Sequence, residues 1–482
     1  MAVTQPPPVA APPVDSAHEG ILRRQALRES AARTYARSLP IVPVRARGLT
    51  IEGADGRRYL DCLSGAGSLA LGHNHPVVLE AIRSVLDSGA PLHVLDLATP
   101  VKDAFTTELF RTLPRQLADR ARVLFCGPAG TDAVEAALKL VRAATGRTGL
   151  LAFTGAYHGM TAGALEASGG AQDVRVTRLP FPYDYRCPFG IGGERGAEMC
   201  ARLAENLLDD PKSGVQTPAG MILEPVQGEG GVIPAPDPWM RRMRELTATH
   251  GVPLIADEVQ TGVGRTGTFW AMEHSGVVPD VLVLSKAIGG SLPLAVVVYR
   301  DDLDTWPPGT HAGTFRGNQL AMAAGAATLA YVRENGLAAR AAELGDRMLR
   351  QLSGLATDQP CVGDVRGRGL MIGVELVDPE AGAADDALPG RGLPAVPEIA
   401  AAVQQECLSR GLIVELGGRH SSVVRLLPPL TITDEQADAV LDRLSEAITA
   451  VSRTAGAGQT GRQPQRGGSR AGLPNPVPGT SR

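Results

Sequence analysis

The chain has 482 residues, 44% of them hydrophobic and 20% charged, with a formal net charge of −4. That is an ordinary globular composition, long enough for more than one lobe, and its weak acidity gives no general attraction to nucleic acid or membrane surfaces. Six cysteines without CxxC spacing indicate neither a disulfide framework nor a zinc site, and no apolar run approaches membrane-spanning length.

In chain order, residues 1–17 are rich in Pro and Ala and are expected to form a disordered tail, since they bury too little to offset ordering entropy. No charged-then-apolar leader pattern is visible, and the cysteine usage suits reducing conditions, so a cytoplasmic location is expected. Residues 18–97 read as the N-terminal segment of a smaller domain, with a hairpin over 49–52 and 58–61 around Asp55-Gly56. The run His73-Asn74-His75-Pro76 resembles a metal pair but lacks a partnering carboxylate or cysteine pattern, which predicts a tight turn.

Residues 98–334 alternate short apolar runs with helical stretches and read as a large domain. Strands are predicted at 123–126, 150–154, 221–224, 253–259, 281–285 and 294–299. Most are continuously apolar, as in a parallel sheet covered on both faces. A helix over 132–144, apolar nearly all round, is predicted to be buried. Residues 335–452 read as a C-terminal smaller domain: helices near 336–353 and 396–410, strands near 369–376 and 412–416, a surface loop over 378–394, and a last helix from 434 to about 451. Residues 453–482, rich in Gly, Pro, Ser and Arg, are expected to be a disordered, solvated tail rather than a contact for RNA or an acidic partner. The fold class is α/β with a mostly parallel sheet.

Two strand candidates end in charge of opposite sign, at Asp257-Glu258 and at Lys286. A lone charge at the end of a buried strand is costly without a partner. Pyridoxal 5′-phosphate (PLP) satisfies both: its aldehyde takes a lysine as a Schiff base, and its ring nitrogen wants a carboxylate that keeps it protonated. The loop Cys126-Gly127-Pro128-Ala129-Gly130-Thr131-Asp132 joins a strand to the buried helix. Its small residues suit a phosphate cradle, and Thr131 and Asp132 equally suit a helix cap. In Gly155-Ala156-Tyr157-His158-Gly159-Met160-Thr161, Tyr157 and His158 are candidate cofactor contacts, Tyr157 lying flat on a ring; a core aromatic is the other reading. Val259 is placed to pack on the opposite ring face and Gln260 to bond the ring hydroxyl. The run Gly262-Val263-Gly264-Arg265-Thr266-Gly267 matches the dinucleotide fingerprint GxGxxG. However, no good helix opening follows it and no second strand ends in an acidic residue at the right distance, so no dinucleotide is expected.

These segments, together with 130–140, Glu224-Pro225-Val226-Gln227-Gly228-Glu229-Gly230 and His311-Ala312-Gly313-Thr314-Phe315, resemble the class III aminotransferases of PLP fold type I over residues 30–450. The resemblance implies a large domain with a mostly parallel central sheet and a smaller α+β domain built from both chain ends. It makes Lys286 the Schiff-base lysine, Asp257 the pyridinium partner, and Gly130 and Thr131 the phosphate cradle. Thr314 resembles the residue that reaches the phosphate of the neighbouring subunit, implying a homodimer with shared active sites. Arg425 resembles the arginine that binds an α-carboxylate, and Glu229 the glutamate that pairs with it when an ω-amine is bound. Met160 departs from ornithine-type members, which carry an arginine there that helps hold 2-oxoglutarate. Segments around 127–135, 155–161, 290–294 and 314–319 look most like members that move the amino group of glutamate to aspartate 4-semialdehyde. Action on ornithine, GABA or lysine, or a PLP aminomutase, is the alternative on the same scaffold.

Overall fold

The computed structural model describes residues 14–171, 175–381 and 392–457. Most of the expected tails, and of the loop at 378–394, therefore lie outside the described residues. The first helix, Val14–Arg28, begins inside the expected N-terminal tail, and the last, Asp434–Ala457, runs past 453 into the expected C-terminal one. Both overruns fall on short stretches without Pro, the residue that most strongly breaks a helix.

A seven-stranded sheet forms the centre, in the order Ala121–Phe125, Val296–Arg300, Val281–Leu284, Leu254–Asp257, Gly220–Leu223, Leu150–Phe153, Val176–Leu179. Only Val296–Arg300 runs antiparallel to its neighbours. The four central parallel strands are buried at every position, because both faces are covered. The helix Gly130–Thr145 covers one face, burying Val134, Leu138 and Val141 in a cluster with Val281 and Val283. The strand Val176–Leu179 was not expected: it holds Thr177 and Arg178, which an edge strand tolerates and a central one does not.

Two smaller sheets flank this one. Thr50–Gly53 and Arg58–Asp61 form the expected hairpin, extended by Pro43–Arg47 and, in parallel, by Leu412–Ile413 from near the other chain end. The second has the order Val362–Arg368, Met371–Leu376, Val423–Leu426, Glu415–Gly417. No helix among the described residues is long and apolar enough to cross a membrane.

Candidate active site

In the central sheet Asp257 pairs with Val283 in parallel register, so Asp257 and Lys286 emerge together at the carboxyl edge, where open α/β sheets bind ligands. Lys286 opens a short 3₁₀ turn, Lys286–Gly289, with φ of +51°. A left-handed lysine is uncommon, and such outliers concentrate at functional sites. Burial pushes the Lys286 amine below its usual range and the nearby Arg425 charge adds to this, against Glu229, Glu415 and Asp257.

Asp257 Oδ2 lies 2.7 Å from His158 Nδ1, and Oδ1 accepts the Val259 N–H at 3.1 Å. The imidazole is wholly buried, with Nε2 left unpartnered. Burial alone would pull His158 down, but its bond to Asp257 and the charges of Asp257 and Glu224 outweigh that and raise it. Glu224 accepts N–H bonds from Tyr157 and Gly228 at 2.9 and 3.0 Å. Its burial pushes the carboxyl up to about 7.

The helix Gly130–Thr145 has Ala129 as its cap, not Thr131 or Asp132. Asp132 Oδ2 reaches back to the Ala129 N–H at 3.0 Å, and the Thr131 hydroxyl pairs with that of Thr161 at 2.6 Å. Alanine cannot cap, and the Asp132 carboxylate bonds only the Ala129 N–H, so no N-cap side chain accepts from the first-turn N–H groups of this helix. A Cβ on Gly130 would lie 3.1 Å from Val259 Cγ1 and 3.4 Å from Ser285 Cβ, which keeps the cradle narrow. Gln260 donates to the Ala66 carbonyl at 3.0 Å, while its Oε1 is buried without a partner. Gly130, Thr131, Tyr157, His158, Asp257, Val259, Gln260, Glu229 and Lys286 line one cavity of about 270 Å³. Tyr157 is 44% exposed, so it is not a core aromatic.

Arg425 stands behind this cavity rather than on its wall. Its Nη2 lies 2.8 Å from Glu229 Oε2 and 2.7 Å from Glu415 Oε2, and its Nε and Nη1 are buried without hydrogen-bond partners. The Tyr35 hydroxyl donates to Glu415 Oε1 at 3.0 Å. Sequence reasoning gave no role to Glu415, Tyr35 or Glu224. The signal for Glu415 was present: a carboxylate inside the apolar run 412–416. Thr314 is not brought to Lys286. It lies on an exposed loop, lining a separate cavity with Gly127 and Pro128.

Both misleading motifs have structural explanations. His73 does have a carboxylate partner, Asp61 at 2.7 Å, twelve residues earlier in sequence. His75 precedes the helix Pro76–Asp87, Asn74 makes the turn at φ +50°, and no metal-holding group occurs among the described residues. The GxGxxG run opens no helix; its Arg265 is buried and donates to the Leu370 and Pro428 carbonyls.

The site fits PLP on its own features: a buried amine facing a buried carboxylate, an uncapped helix end beside a glycine, and orphaned polar atoms on His158, Gln260 and Arg425. The family model for class-III aminotransferases matches residues 31–448. The chain is 54% identical to a diaminobutyrate–2-oxoglutarate aminotransferase of Rhizobium meliloti over 90% of this chain and 93% of that one. It is 46% identical to the one of Haemophilus influenzae over 90% and 96%. Among solved structures, a PLP-bound amine transaminase from an uncultivated Pseudomonas species matches with a TM-score of 0.78 at 31% identity, covering 88% of this chain and 98% of that one. The ornithine aminotransferase of Toxoplasma gondii matches with 0.75 at 26%, covering 91% and 96%.

Proposed function

The chain belongs to the class-III aminotransferases, PLP-dependent transaminases of fold type I, and from that premise we propose that it moves the amino group of L-glutamate to L-aspartate 4-semialdehyde. The products are L-2,4-diaminobutyrate and 2-oxoglutarate. The observation that carries this reading is the buried Arg425 guanidinium closed by a removable Glu229, in a chain most like named diaminobutyrate–2-oxoglutarate aminotransferases among the relatives above.

When bound, PLP supplies an aldehyde that takes the amine and a protonated ring that accepts electrons from the substrate carbon. The chain's residues do the rest. Asp257, oriented by His158, would hold the ring nitrogen and favour its protonated form. Gly130 and Thr131 at the helix end would hold the phosphate. Tyr157 and Val259 would hold the ring between them and Gln260 would offer a hydrogen bond to it. The Lys286 amine, neutral more readily because it is buried, takes the proton from the substrate's reacting carbon. Arg425 offers its unpartnered N–H groups as a fork to the α-carboxylate of glutamate, and Glu229 turns away. When the semialdehyde enters, its reacting carbon bears no carboxylate, and Glu229 returns to Arg425.

We further infer a homodimer in which Thr314 of a second copy completes the phosphate site, since in its own chain this residue stays away from Lys286. A cytoplasmic location agrees with six free, buried cysteines. The test is side-by-side turnover by the purified holoenzyme, with glutamate as donor and aspartate 4-semialdehyde or glutamate 5-semialdehyde as acceptor. Preference for the five-carbon acceptor sinks the substrate reading. Lys286→Ala should retain cofactor but not turn over, and normal turnover by that variant sinks the mechanism.

A further inference from the structure

The two proposed substrates share a measure that the cavity must meet. In glutamate, two carbons separate the reacting α-carbon from the far carboxylate. In 2,4-diaminobutyrate entered from its γ-amine, two carbons likewise separate the reacting carbon from the α-carboxylate. One cation at that reach serves both half-reactions. Yet apart from Lys286 and His158 no side chain lining the cavity carries positive charge, and Met160 stands there 67% exposed. Arg425 is already assigned to the near carboxylate.

We propose that Arg419 is the residue that binds this far carboxylate in both half-reactions. It sits on the turn between Glu415–Gly417 and Val423–Leu426, the strands that carry Glu415 and Arg425. Its Nη2 donates to the Thr154 carbonyl at 2.8 Å, at the carboxyl end of the strand Leu150–Phe153. The guanidinium lies so close to Gly155 that a Cβ there would stand 2.4 Å from Nε, and Gly155 itself has φ of +82°. Only glycine permits that approach. Two residues on is Tyr157, which lines the cavity. On the other side, Gly418 N–H donates to the Glu229 carbonyl at 2.8 Å, and Glu229 lines the cavity too. Arg419 is thus fixed between two segments that wall the site, though it is not itself on the cavity's wall. It sits on an exposed turn with its guanidinium over the Tyr183 ring at 5.9 Å, near the Glu375 charge, and in no salt bridge among the described residues. A guanidinium has five N–H donors, and one engaged by a backbone carbonyl leaves a fork for a carboxylate.

The inference rests on the transamination reading for its substrates, so the first test avoids turnover. Glutarate is an unreactive dicarboxylate with the glutamate spacing, and butyrate lacks the second carboxylate. Calorimetry on the holoenzyme should show the glutarate-to-butyrate affinity ratio falling about 10- to 100-fold in Arg419→Met, the loss of a charge-assisted pair. Arg419→Lys should recover part of it. In half-reactions followed by the cofactor's absorbance, kcat/KM for glutamate and for diaminobutyrate should both fall relative to that for L-alanine, chiefly through KM. If Arg419 is only a clasp for its hairpin, both ligands weaken together and the ratios stay unchanged, which overturns the proposal. Loss confined to glutamate or to diaminobutyrate alone also overturns it. Should the wild type bind glutarate through Arg419 yet not use diaminobutyrate, the substrate reading fails, and with it the second half-reaction assigned to Arg419, which keeps only the glutamate carboxylate.

Discussion

Glu229 and Arg425 meet at 2.8 Å, but the arginine side chain is 0% exposed and the glutamate side chain 35%. The pair therefore opens from one side. Arg425 is fixed by its place in the strand Val423–Leu426 and by the buried Glu415, while Glu229 has room to leave.

That asymmetry predicts the effect of Glu229→Gln. Without its charge, the pair with Arg425 weakens by roughly 1.5–3 kcal/mol, and a carboxylate substrate displaces it more easily. The ratio of kcat/KM for glutamate over diaminobutyrate should rise about 10- to 100-fold, measured in separate half-reactions. An unchanged ratio would mean that Glu229 does not gate Arg425.

Arg425→Met should act on stability as well as on substrate choice. It leaves Glu415 buried without its cation, with only the Tyr35 hydroxyl and solvent-poor surroundings. Breaking one side of a buried ion pair costs about 3–5 kcal/mol. Adding Glu415→Gln should recover most of that in urea denaturation, because a neutral amide replaces the stranded charge. The double variant should still fail in the glutamate half-reaction. Failure to recover stability would show that Glu415 is not the group left stranded.

The cofactor end of the site was legible in the sequence because its logic is local. Asp257 and Lys286 each terminate an apolar run, and parallel pairing of those runs brings the two ends together. The edge strand Val176–Leu179 was not legible, since one covered face and polar Thr177 and Arg178 leave no continuous apolar signal. The cap at Ala129 was missed for a related reason: residue preference favours Thr131, but that hydroxyl is taken by Thr161, 30 residues away. Glu415 and Tyr35 meet across 380 residues, and no spacing rule reports such a contact.

The amine of Lys286 should load cofactor with a pH profile that answers to its neighbours. Burial and the Arg425 charge hold it below its ordinary 10.5, while Glu229 oppositely supports the charged form. Removing Arg425's charge should move the inflection of PLP capture by the apo-protein to higher pH. Glu229→Gln should move it lower. Both are read from the pH dependence of the capture rate, followed by visible absorbance, and opposite shifts would show that these charges do not act on Lys286.

His158 makes a prediction about stability and pH whose sign is fixed by its raised position. The folded protein binds the imidazole proton more tightly than the unfolded chain, whose histidines titrate near 6.5. The stabilisation is therefore complete below about pH 6.5 and is lost as pH rises through the higher folded value. Glu224 complicates the same window: raised from 4.5 to about 7, it too loses stabilisation as pH rises between those values, and it responds to the His158 charge. The comparison is cleanest in a Glu224→Gln background, with and without His158→Asn. Urea denaturation of the apo-protein should give a stability gap between the two that narrows as pH climbs above about 6.5. A gap that widens over this range would mean that the 2.7 Å contact to Asp257 is made by a neutral imidazole throughout. His158 would then orient the carboxylate without adding charge beside it.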